Sequence, residues 1–245
     1  MIKSCAFMNC SALKHVEIPA SVASIPERAF AYCTGLESIK IPDCVTNIGE
    51  LAFAYCKGLK HLELPKSLVM VGEASFQGCF KLASLRIPKS VTTLEGFAFS
   101  YCSVLKHVEI PDLVTTIHDA TFSVCVGLES VKIPDSVTSL GYHAFSYCAK
   151  LRHVELPESV TSLGEGAFCC CICLQSIKLP NSLTHIGLRA FSHCPELKHV
   201  EIPPRVVRID AETFACCYEL QTAKIPDSVV SIGKRAFECC RSLKH

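Results

Sequence analysis

Cysteine and histidine supply the reactive side chains of this chain, 18 and 10 of them in 245 residues. Such numbers could serve disulfide cross-linking, metal coordination or nucleophilic catalysis, and spacing separates the three. Eleven cysteines fall 23 residues apart, at Cys10, Cys33, Cys56, Cys79, Cys102, Cys125, Cys148, Cys171, Cys194, Cys217 and Cys240. An odd-numbered column at constant spacing marks one position of a repeat rather than planned disulfide pairs. Stacked parallel segments would hold neighbouring members about 4.8 Å apart, a poor match to the Cβ separation of roughly 3.5–4.5 Å in a disulfide. Buried free thiols are therefore expected, behaving as small apolar core residues. They favour a reducing, cytoplasmic setting.

The other seven are Cys5, Cys44, Cys169, Cys170, Cys173, Cys216 and Cys239. They offer one juxtaposition of Cys with His: Cys170, His193, Cys216 and Cys239 share a column whose earlier members include Tyr32, Tyr55, Tyr101 and Tyr147. A straight column cannot converge tetrahedrally on zinc, and the run CCCIC has no paired C-x-x-C partner. Neither a metal nor another cofactor is expected, whereas oxidation of a surface thiol patch is. The sequence has no phosphate-binding glycine loop, no H-E-x-x-H and no nucleophile elbow. Every Ser, His and Glu of interest recurs down a column, while a catalytic site needs one converging constellation. The expectation is a non-enzyme.

The repeat itself must position these side chains. Phe recurs every 23 residues from Phe7 to Phe237, Pro from Pro19 to Pro226 and Leu from Leu13 to Leu243, with no insertion. In LKHVEIP, Val108 and Ile110 alternate with His107 and Glu109, the period of a half-buried strand. Pro111 has no N–H to give a ladder and ends it. SVTSL at 136–140 reads as a second short β piece. GEGAFCCC allows about one turn of helix, with Ala167, Phe168 and Cys171 facing inward. One 23-residue coil cannot bury its apolar face, but stacked coils can. The strict spacing leaves no room for a linker, so residues 1–245 read as a single solenoid of about ten repeats, cut within a repeat at both ends.

The pattern L-x-x-[VIL]-x-[IL]-P, followed by S-V-T-x-[IL]-G-x-x-A-F-x-x-C, resembles the BspA-like leucine-rich repeats, also described as the Treponema pallidum type. The resemblance covers essentially the whole chain. It implies an α/β repeat solenoid: a right-handed superhelix with a parallel β-sheet on its concave side and short β, 3-10 and helical turns on its convex side. It also implies adhesion or protein recognition, often at a microbial cell surface. The sequence departs from the family in holding Cys in all eleven units at a position where the family varies. Its start, MIKSCAFMNC, has no apolar h-region of a secretory signal.

Read down the stack, one strand position runs Glu17, Lys40, Glu63, Arg86, Glu109, Lys132, Glu155, Lys178, Glu201 and Lys224. Two residues earlier it runs His15, Ser38, His61, Ser84, His107, Ser130, His153, Ser176, His199, Thr222 and His245. A third column begins Lys14, Glu37, Lys60. Identical coils would set like charges opposite one another on neighbouring strands, which is unfavourable; alternation turns each clash into an attractive pair and fixes the register. The same side chains would line the concave face. The candidate partner-binding set is therefore His15, Glu17, Lys40, His61, Glu63, Arg86, His107, Glu109, Lys132, His153, Glu155, Lys178, His199, Glu201 and Lys224. It is striped and near-neutral, suited to a protein or a glycan.

A formal net charge of +1 gives no reason to expect nucleic acid. No apolar run approaches the ~18 residues that span a bilayer. Apolar ends without polar caps predict end-to-end self-association. Two other roles fit the same residues: a structural spacer with no dedicated partner, and the sensing part of a larger receptor or enzyme.

Overall fold

Branched residues alternating with polar ones, cut every few residues by proline, can make only short strands. The computed structural model describes residues 2–244; it has nineteen strands and no helix among them. Each coil supplies at most one three-residue strand, such as His107–Glu109, and one two-residue strand, such as Thr116–Ile117. Every strand pair is parallel and shifted by one repeat, for example His107 beside Ser130 and Glu109 beside Lys132. The three-residue strands form three sheets. One runs from His15–Glu17 to His61–Glu63, one joins His107–Glu109 to Ser130–Lys132, and one runs from His153–Glu155 to Thr222–Lys224. Residues 84–86, the fourth member of the series, form no strand.

The architecture is a parallel-strand β-solenoid of stacked coils. This corrects the α/β expectation, and the reason lies in the segment between the short strand and the Cys. Two positions per coil there have positive φ, for example Ala120 (50°) and Val124 (59°), or His143 (52°) and Tyr147 (59°). A right-handed helix cannot pass through such residues. Amide direction alternates instead. Ala31 and Cys33 bond three residues back, to the carbonyls of Arg28 and Phe30, while Arg28, Phe30 and Tyr32 bond across to Glu50, Ala52 and Ala54 of the next coil. Every second N–H thus tethers neighbours, doing the work of a sheet without strand geometry.

The core is built from columns. Eleven phenylalanines from Phe7 to Phe237 form one stack, with adjacent rings 5.0–5.7 Å apart and within 11° of parallel. Buried Leu, Val and Ile columns flank them. Coils approach so closely at Gly164 that a Cβ would lie 2.5 Å from the Gly141 carbonyl carbon.

Candidate functional site: the polar strand face

In each three-residue strand the middle side chain points into the core and the outer two face solvent, as Val108 does between His107 and Glu109. The candidate residues on strands therefore share one exposed face at one-coil intervals. Their side chains bond in a fixed order. Lys40 donates to Glu17 at 2.6 Å, Lys132 to Glu109 at 2.5 Å and Lys224 to Glu201 at 2.5 Å. His15, His107 and His153 use Nδ1 to share hydrogen bonds of 2.8–2.9 Å with Ser38, Ser130 and Ser176, and His199 does so with Thr222.

All these contacts join an HVE coil to the coil that follows it. Among the described residues, Glu63, Arg86, Glu155 and Lys178 hold no ion pair. The expectation that every interface would gain an attractive pair is corrected: one ammonium group reaches one carboxylate, and each lysine that pairs takes the glutamate before it. Residues 84–86 leave the ladder, and with them go both the His61–Ser84 and the Glu63–Arg86 contacts. The third column acts at the interface skipped by the first, because Lys60 donates to Glu37 at 3.0 Å and joins one two-coil unit to the next. His245 lies outside the described residues.

The electrostatics are those of a solvated surface. Glu17 and Glu109 are held below the usual carboxylate range by the hydrogen bond and then the charge of Lys40 and Lys132, and both lysines are raised in return. Side chains of the three pairs are 69–76% exposed. Exposed pairs of this kind contribute little to the stability of a fold.

Sequence reasoning missed two bonding columns. Each thiol from Cys33 to Cys240 donates to the carbonyl of the Phe one coil back, as Cys125 does to Phe99 at 3.2 Å and Cys148 to Phe122 at 3.3 Å. The eleven-fold constancy of Cys was the available signal. The serine of S-V-T likewise donates to a carbonyl of the preceding coil, Ser136 to Val114 at 2.7 Å and Ser159 to Val137 at 2.6 Å. Burial pushes the core thiols up, Cys79 and Cys125 to about 12, so they stay protonated and unreactive. All eighteen cysteines are free. Among the described residues no group of three or more His, Cys, Asp or Glu could hold a metal ion, and no helix is long and apolar enough to cross a membrane.

Comparison with known proteins places these features. The BspA type leucine-rich repeat region matches residues 1–129 and 115–244, in six copies. A leucine-rich repeat protein from Bacteroides ovatus is 28% identical over 99% of this chain and 80% of its own, with a TM-score of 0.54. The Treponema pallidum leucine-rich repeat protein is 30% identical over 66% of this chain and 78% of its own, with a TM-score of 0.64. A leucine-rich cell surface protein from Faecalibacterium prausnitzii is 27% identical over 95% and 86%, with a TM-score of 0.52. No curated protein matches.

Proposed function

Since the chain belongs to the BspA-type leucine-rich repeat family, whose repeat proteins are typically surface or adhesion scaffolds, we propose that it is a non-enzymatic recognition scaffold. It binds a protein partner on the polar strand face, which we assign to the concave side. One observation carries this reading: Glu17–Lys40, Glu109–Lys132 and Glu201–Lys224 present solvent-exposed charges on a backbone held coil to coil by parallel ladders. A surface ordered before binding loses less side-chain freedom on association. Its near balance of signs favours a partner with matching stripes over a polyanion.

The test inverts one stripe. Glu109→Lys with Lys132→Glu keeps an ion pair and reverses its field, so stability should hold while partner capture falls. The comparison is an affinity capture from a cell extract with wild type, the inverted variant and Tyr101→Ala on the turn face, each checked by thermal unfolding. Loss with the inversion alone supports the strand face. Capture lost only with Tyr101→Ala overturns it.

A further inference from the structure

We propose that Cys169 and Cys170 form a chelating dithiol site for a thiophilic electrophile that takes two sulfurs and brings its own third substituent, a monosubstituted trivalent arsenical by class. Their Sγ atoms lie 3.6 Å apart, and both residues are half-buried in a turn at the surface. Nine other thiols are buried in the core and seven are exposed or half-buried, but among the described residues only this pair makes an Sγ–Sγ hydrogen bond. Tyr147 lies near Cys170 from the preceding coil. Arg189 lies near Cys169 from the following coil, but its own hydrogen bond of 2.7 Å goes to Glu212. Neither neighbour closes the sulfurs off as a third ligand would.

Geometry selects the ligand class. With bonds of about 2.3 Å, as in zinc thiolates, a linear two-coordinate ion would hold its sulfurs about 4.6 Å apart. Two sulfurs at 3.6 Å suit a bent arrangement instead. Zinc needs four ligands in a structural site and three in a catalytic one, and no third His, Cys, Asp or Glu is in place among the described residues. The group bound must therefore arrive with its remaining valence filled.

Binding needs no oxidant. The hydrated arsenical, R–As(OH)₂, exchanges both hydroxyls for thiols: two As–S bonds form, two S–H and two As–O bonds break, and two waters leave. Cys169 is pushed up to about 12, first by burial and then by Cys170, and it remains a protonated thiol. The departing hydroxide carries that proton away. Closure of the second As–S bond is intramolecular, where effective concentration is worth roughly 10²–10⁴-fold.

Phenylarsine oxide is the probe, added to the reduced full chain under native conditions and read by intact mass. We expect one phenylarsenic adduct, resistant to excess glutathione and removed by 2,3-dimercaptopropanol. Cys169→Ser and Cys170→Ser should each weaken it ~100-fold or more, whereas Cys216→Ser should not; circular dichroism melts confirm that all three fold. An adduct released by monothiol, or one that survives in both serine variants, overturns the assignment.

Discussion

The Cys125 thiol donates to the Phe99 carbonyl oxygen, one coil back, at 3.2 Å, and that oxygen also accepts the N–H of Cys102 at 3.2 Å. One carbonyl thus joins its own turn to the next coil. Sulfur suits this position because it fills space like an apolar atom yet carries a donor hydrogen. Cys125→Ala removes the bond and opens a small cavity without orphaning the oxygen. The expected cost is about 1–3 kcal/mol, read as a lower denaturant midpoint. In the wild type, a thiol reagent should leave the nine buried cysteines untouched until the chain unfolds.

Much of this core was legible because Phe, Cys, Pro and Leu each repeat at 23 and the strand alternates at two. The turn was not. Its left-handed positions hold Leu51, Phe97, Val124 and Tyr147, while glycine stands there only at Gly78 and Gly166, so the residue that usually announces such backbone is nearly absent. Helix was the natural reading of G-x-x-A-F-x-x-C. The charge stripe was read correctly as alternating, but which neighbour each lysine would choose depends on rotamers that a one-letter column does not encode.

Val124 follows from that hidden geometry. A β-branched residue at φ 59° is strained, and its amide still bonds to Ser146 at 2.8 Å. Asparagine tolerates this conformation and keeps a side chain. Val124→Asn should raise stability by about 1 kcal/mol, and a chemical denaturation curve checks it. A loss of stability would mean that packing of the valine methyls outweighs the strain.

Leu113 breaks the serine column. Ser90 and Ser136 on either side donate to Leu68 and Val114 of their preceding coils at 2.6 and 2.7 Å, while Leu113 is 54% exposed and donates nothing to Val91. Leu113→Ser should restore that bond and remove apolar surface from water, a gain of about 0.5–1.5 kcal/mol. Thermal melts of the single variant, and of Arg205→Ser at the equivalent position, measure it.

The Glu109–Lys132 pair sets a pH window. Glu109 is depressed in the folded state, so its contribution is present above the ordinary carboxylate value of about 4.3 and is lost as pH falls through its lower folded value. Lys132 is raised, so its contribution is complete below about 10.4 and is lost as pH rises through its higher folded value. A double-mutant cycle with Glu109→Gln and Lys132→Met should therefore show coupling at pH 7 that fades at both extremes and in high salt. The same cycle on Lys132 and Glu155 should show much less, because the lysine turns toward the preceding coil. Equal coupling on the two sides would replace the two-coil unit with a uniform ladder, in which each lysine is shared between the glutamates of both neighbouring coils.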